Sequence, residues 1–275
     1  SRQQGLAKNN LTHQLLSIMK HLLILTSSAL ALSISLLFTI KTARAEPTAQ
    51  APVKKDTQTP PTGKEDGWVQ LTGKDFQNVN CKEDTWRWEG GHAFCTGQPV
   101  GVISSHEPLV DFELLCEWKH KQHAGNSGIF IWATKESLDE LRAGKGRLPR
   151  GIEVQVLDHG YKENYEKDGK RKANWFTCHG DVFPVGKDTK MRPFPPVSPD
   201  GRRSFPSANH SKGLNQWNHY YIRAEKGVVR LWVNGHEVSG GDQISPASGY
   251  LCLESEGAPI EFRNILLRKL PLRKD

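Results

Sequence analysis

From Trp68 onward the chain alternates apolar and polar residues with a period of two, the signature of strands with one buried face. Phe112, Leu114, Cys116 and Trp118 mark one such strand, and Tyr221/Arg223 alternate in another. Ile152, Val154 and Val156 mark a third, with Glu153 and Gln155 between them. Trp86–Trp88 and His92–Cys95 flank Glu89-Gly-Gly91 and predict a hairpin. Further strand-like runs cover Val100–Ser104, Phe112–His120, Gly128–Ala133, Gly151–Asp158, Trp217–Glu225, Val228–Val233, Gly249–Glu254 and Ile260–Leu270. Asn234-Gly235 predicts a type I′ turn, because both of its central residues need positive φ. Only Lys135–Ala143 has a helical pattern, with Leu138 and Leu141 on one side. Many short strands and one helix predict an all-β fold, a two-sheet jelly-roll sandwich spanning residues 67–271.

One stretch breaks the pattern. Residues 174–215 contain His179-Gly-Asp181, Pro193-Phe-Pro-Pro196, Ser198-Pro-Asp-Gly201 and Ser204-Phe-Pro206. A loop of this length inside a compact domain is usually functional or disordered. Trp175, Phe176, Phe183, Phe194 and Phe205 argue for order, so the expectation is a long irregular insert forming a wall or lid.

The N-terminal region changes the meaning of the net charge. Met19-Lys-His21, an uncharged run from Leu22 to Ile40 and Ala43-Arg-Ala45 predict a signal peptide over residues 19–45. Translation is expected to begin at Met19, with residues 1–18 read as an upstream start artefact. An exported protein, periplasmic or extracellular, follows as the expectation, with no membrane attachment after cleavage. The chain has 37 basic and 30 acidic residues, a balance of +7. Five of the bases and none of the acids lie in residues 1–45, which leaves 32 against 30. That balance removes the hint of nucleic acid as a partner. Residues 46–66, rich in Pro, Thr, Gln and Lys, read as a disordered linker. The five cysteines show no zinc spacing, and their odd number leaves at least one thiol unpaired within a monomer.

Candidate chemistry centres on Glu153 and Gln155. A carboxylate and an amide side by side on one strand face would suit the floor of a sugar cleft, although such a pair can also merely solvate a sheet. Gly125-Asn126-Ser-Gly128 leads into a strand expected to place Phe130 and Trp132 on one face, where rings could stack on a sugar. Lys119 shares a strand face with Glu117; the pair is either a surface ion pair or, if that face lines the cleft, a source of oxyanion stabilisation. His179 and Asp181 offer an imidazole and a carboxylate at the start of the insert, whereas His159, His210 and His236 have no comparable company in sequence. No HExxH, GxSxG, P-loop or Rossmann motif is present, which removes support for zincins, serine hydrolases and nucleotide enzymes.

The order of these motifs resembles a known family. Gly67-Trp68, Phe112-Glu-Leu114, Glu117-Trp118, Gly125-Asn-Ser-Gly-Ile129, Gly151–Asp158, Trp217-Asn218, Trp232-Val-Asn-Gly235 and Glu261-Phe-Arg-Asn-Ile265 follow the pattern of the 3-keto-disaccharide hydrolase domain family. The proline-rich insert resembles a planctomycete subgroup. The resemblance implies a concanavalin-like, laminin-G-like jelly roll acting on 3-keto-glycosides. Many members carry Arg where this chain has Trp132, a departure from the family's pattern. Residue chemistry and motif position together then give an expected site. Glu153, His179 and Asp181 are the acid–base groups, with Asp181 orienting His179; Lys119, Asn126, Trp132, Gln155 and Asp158 contact substrate. The residues commit to no cofactor; a divalent cation serving as the electrophile on Glu153, Asp158 or Asp181 is compatible with the chemistry, although no diagnostic metal spacing is present. A conventional two-carboxylate glycosidase and a non-catalytic carbohydrate-binding module are the alternatives.

Overall fold

The computed structural model describes residues 59–271. The upstream segment, the signal peptide and residues 46–58 of the linker lie outside the described residues. Two antiparallel sheets face each other across one core, as the alternation predicts. The strands are β1 (Val69–Gln70), β2 (Phe76–Asn78), β3 (Trp86–Glu89), β4 (His92–Cys95), β5 (Gly101–Ser105), β6 (Phe112–His120), β7 (Asn126–Ala133) and β8 (Gly151–Leu157). They continue with β9 (Val182–Val185), β10 (Lys190–Pro193), β11 (Asn218–Glu225), β12 (Val228–Val233), β13 (His236–Ser245), β14 (Tyr250–Ser255) and β15 (Ile260–Lys269). One sheet has the order β10-β13-β12-β11-β6-β15-β4-β3, with β1 also on β15; the other runs β2-β5-β14-β7-β8-β9.

Local chemistry sets the hairpins. Asn234 and Gly235 have φ of 50° and 90° and join Val233 to its partner His236, the two-residue turn expected from the dipeptide. Lys226-Gly227 closes the β11–β12 hairpin in the same way, with φ of 52° and 70°. Trp118, Tyr220, Phe112 and Phe262 of the larger sheet meet Ile129, Ile131, Ile152 and Val154 of the smaller one. Burying each such side chain contributes about 1.5–3 kcal/mol before the entropic cost of ordering the chain. In β11 the core residues are Tyr220, Ile222 and Ala224, so Tyr221 and Arg223 face outward. Tyr221 is nonetheless covered by Trp232 and Leu115 on the outer face and donates to Glu113 Oε1 at 2.6 Å.

Helix α1 (Lys135–Arg142) forms where predicted. Thr134 caps it by accepting from the Ser137 amide, and Leu138 and Leu141 pack on Phe130 and Cys252 from the outer face of the smaller sheet.

Three expectations change. The insert is not wholly irregular: β9 and β10 lie within it, and β9 extends the smaller sheet by pairing with β8. A second helix, α2 (Gly160–Glu166), precedes it. At the linker's end, Gly63 sits at φ 77° against Leu266 and Leu115, so ordered chain begins before Gly67.

Candidate functional site

The outer face of the smaller sheet carries the titratable cluster. Because Ile152, Val154 and Val156 point into the core, Glu153 and Gln155 must point out, yet both are only 6% exposed. Leu148, Leu157 and Tyr161 surround them, and the insert's Trp175, Phe176, Phe183 and Arg203 cover them. The resulting cleft encloses about 210 Å³, and Asn126 and Glu256 complete its lining. Hydrogen bonds fix the strands beneath, two of them on β8 and one between β7 and β14. Tyr220 reaches through the core to donate to the Gln155 carbonyl at 2.9 Å, the Gln155 amide donates to the Asp181 carbonyl at 2.9 Å, and Ser127 Oγ donates to the Glu254 carbonyl at 2.7 Å.

Gly128 decides what meets on this floor. It lies in β7, between β14 and β8, and a Cβ placed on it would stand 2.5 Å from Glu254 Oε2 and 3.0 Å from Glu153 Oε1. Only with no side chain here can the two carboxyls reach across the strand toward one another. Gln155 Nε2 donates to Asn126 Oδ1 at 2.9 Å, and Asn126 Nδ2 donates in a short bond to Glu256 Oε2. An amide ladder thus ends on a carboxyl at the cleft's edge.

The insert supplies the positive charge. The Arg203 guanidinium stacks 3.4 Å from the Phe183 ring centroid, stands 4.9 Å from that of Trp175, and approaches Asp181 Oδ2 at 3.7 Å. Asp181, 0% exposed, accepts from the Thr177 amide at 2.8 Å and from the Thr177 hydroxyl. It therefore holds the loop and Arg203 in place and has no surface facing the cleft.

Burial dominates the electrostatics. Glu153 is pushed up to about 8, first by burial and then by the nearby Glu256 carboxyl, with Arg203 pulling the other way. Burial raises Asp181 to about 6, and burial pulls Arg203 down. Burial and the Glu256 carboxyl thus favour the protonated form of Glu153, the form that can act as an acid. A carboxyl raised from 4.5 to about 8 holds its proton in the folded state after the unfolded chain has lost it, so stability falls as pH rises through that window. His120 and His179, both lowered from 6.5 to about 4 mainly by burial, act in the opposite sense, but only below 6.5. Between pH 6.5 and 8 the carboxyl effect stands clear of them. Urea unfolding should show stability declining over this interval, and Glu153→Gln should make the decline shallower, leaving the part due to Glu254, whose carboxyl is also raised by burial; an equal slope in both proteins would contradict a raised Glu153.

The structure brings together Glu153, Gln155 and Asn126, and sets Asp181 behind Arg203. It does not bring the other predicted residues to the cleft. Lys119 points from the outer face of the larger sheet, paired with Glu261 at 3.1 Å and lying 4.5 Å from the Trp217 ring centroid. Glu117 bonds Arg263 rather than Lys119. Trp132 does not share a face with Phe130: at φ 55° it sits where the β7–β14 register shifts, which turns its ring into the core and its Nε1 toward the Val110 carbonyl at 2.7 Å. Asp158 Oδ2 accepts from the Ala124 and Gly160 amides at 2.9 and 3.0 Å, a turn-fixing role.

His179 is not oriented by Asp181. Its Nδ1 pairs with Ser211 Oγ at 2.6 Å, and Ser211 also pairs with His159 Nε2 at 2.9 Å, so His159 has the company its sequence neighbourhood did not show. His210 and His236 likewise stack at 3.9 Å. The oxygen set Glu153, Asp158 and Asp181 does not converge. Among the described residues no group of three or more His, Cys, Asp or Glu side chains is arranged to hold a metal ion.

Sequence reasoning missed Glu254, Glu256 and Arg203. The first two had a signal: they follow the core residues Leu251 and Leu253 at the same two-residue spacing that exposed Glu153 and Gln155. Arg203, in a proline-rich loop, had none.

A larger groove of about 390 Å³ lies elsewhere, lined by Val69, Leu71, Leu109, Leu251 and Leu267. Its Asp75 is tied to Thr72 and its His106 to the Lys74 carbonyl, so it assembles no acid–base pair.

No curated protein matches the chain significantly. A candidate glycosyl hydrolase from Parabacteroides distasonis superposes with a TM-score of 0.50 at 18% identity, over 74% of this chain and 99% of that one. A second candidate from the same organism gives 0.49 at 16% identity, over 74% and 94%. Carbohydrate binding module CBM66 from Bacillus subtilis gives 0.46 at 14%, over 71% and 96%. At 18% identity the first of these likenesses speaks to the fold alone. Residues 63–268 match the family described as the 3-keto-alpha-glucoside-1,2-lyase-like domain; the chain belongs to that family and is a carbohydrate-acting protein.

Proposed function

We propose that this protein is an exported enzyme that cleaves 3-keto-glycosides by elimination across C1 and C2 followed by hydration, a net hydrolysis. The observation carrying this reading is a Glu153 only 6% exposed beside a stacked Arg203 in a cleft of about 210 Å³, where burial favours the protonated carboxyl. A ketone at C3 makes the C2 hydrogen acidic, because its removal gives an enolate. The reaction then needs a base at C2, an acid at the glycosidic oxygen and positive charge at the ketone oxygen.

Glu256, half-buried at the edge and fixed by Asn126, is the base in this reading. Glu153 gives its proton to the departing glycosidic oxygen, and Arg203 faces the enolate oxygen. Gln155 and Asn126 hold hydroxyls, and Trp175, 40% exposed, walls the aglycone side. Water then adds at C1 as Glu153 takes its proton, and Glu256 returns a proton to C2, giving the 3-keto-sugar. His179, Lys119, Trp132 and Asp158 have no part.

Incubating the enzyme with a 3-keto-glycoside and its parent glycoside in D2O tests this. Deuterium at C2 of the released 3-keto-sugar is the expected result, because Glu256 at the cleft's edge exchanges with solvent. Cleavage of the parent glycoside without label would point to two-carboxylate hydrolysis. Sugar binding without turnover of either compound would make the domain a binding module.

A further inference from the structure

Glu254 takes no part in the reaction as written, yet it is the most unusual group in the site. It is 0% exposed, and neither of its carboxyl oxygens finds a hydrogen bond of good geometry. A buried carboxyl in that condition is costly, so a structural role alone does not account for it. Its surroundings suggest another. Its carboxyl and that of Glu153 both lie against the bare backbone of Gly128, one on each side, and Glu256 follows two residues further along the chain. Glu254 therefore stands between the acid and the base of the cleft.

We propose that Glu254 is a positioning residue that passes protons between Glu153 and Glu256. This rests on the elimination mechanism above. After elimination Glu256 holds the C2 proton and Glu153 is a carboxylate. Hydration resets both, but if the unsaturated intermediate leaves first, the two groups are left in the wrong states. Glu254 can then give its proton to Glu153 and take one from Glu256, which restores the starting site with no net gain or loss of protons. The site would thus work as a lyase as well as a net hydrolase.

The charges facing these carboxyls fit a neutral Glu254. Glu153 from β8, Glu256 from its own chain and the Cys95 thiol from β4 all disfavour its ionisation, and burial pushes it well above the usual carboxylate range. Asp181 and Arg203 act on Glu153 from the insert, and Arg147 acts on Glu256.

Infrared difference spectroscopy of the substrate-free enzyme tests the proton path directly. A protonated-carboxyl band at pH 8 that disappears in Glu254→Gln, and shifts in both Glu153→Gln and Glu256→Gln, is the expected result. A Glu254 band that is ionised, or indifferent to both neighbours, overturns the proposal. Glu256→Gln alters a half-exposed residue, so this arm survives if Glu254→Gln folds poorly. Kinetically, Glu254→Gln should lower steady-state release of the unsaturated intermediate about tenfold or more, the loss expected when a proton transfer is impeded, while hydrated product is less affected. An unchanged product ratio in a folded variant also overturns it. Coupled bands in an enzyme that turns over no 3-keto-glycoside would leave the proton path standing and remove the proposed reaction.

Discussion

Glu153→Gln is expected to lower kcat on a 3-keto-glycoside by about 10²–10⁴-fold, the usual contribution of a general acid, with little change in substrate affinity. Gln keeps the shape and adds no charge, and burial already favours the neutral form of Glu153, so folding should be undisturbed. The sharper measurement is a leaving-group series. An aglycone that departs readily as an anion, such as a nitrophenol, needs little protonation, whereas an alkyl or sugar alcohol needs it fully. The loss should therefore be large for sugar aglycones and shrink for nitrophenol. An equal loss across the series would place Glu153 at C2 rather than at the glycosidic oxygen and reverse its role with Glu256.

The second large effect belongs to Arg203. Arg203→Gln should cut kcat/KM by about 10²–10³-fold, the scale seen when one stabiliser of a developing oxyanion is lost. Lys should not restore it, because an ammonium can neither stack its plane on Phe183 nor hold that geometry beside Asp181. The loss should fall on kcat more than on KM, since the ketone oxygen bears full charge only in the enolate. A loss confined to KM would show that Arg203 merely binds substrate.

The sheet half of this site was legible in the sequence and the insert half was not. Strand parity is a local rule: once Ile152, Val154 and Val156 face a core, Glu153 and Gln155 must face away, and the same arithmetic applies to Glu254. Parity fails where the backbone leaves the regular pleat. At Trp132 a positive φ and a register shift carried an apparent outer-face aromatic into the core. For Lys119 parity gave the correct face but could not say which sheet owns the cleft. That depends on strand order, a long-range property.

The insert follows no period at all. His179 and Asp181 are two residues apart in a loop, yet their side chains serve different partners, Ser211 on one side and Thr177 with Arg203 on the other. Spacing on a strand predicts proximity; spacing in a loop does not. Arg203 reaches the cleft only because the chain returns after the proline-rich turns and pairs Ser204 with Val182.

The division of charge between sheet and insert has a consequence for how such a domain can diversify. The proton-handling carboxyls stand on strands whose register the whole sandwich enforces, while the cation over them rides on a loop tied down chiefly through Asp181, Phe183 and the Ser204 bridge. A lineage could redraw that loop, moving or replacing the guanidinium and reshaping the aglycone wall, without touching a hydrogen bond between β14, β7 and β8. The carboxyl row is then the inherited part of the chemistry, and the insert is where a new glycoside would be met.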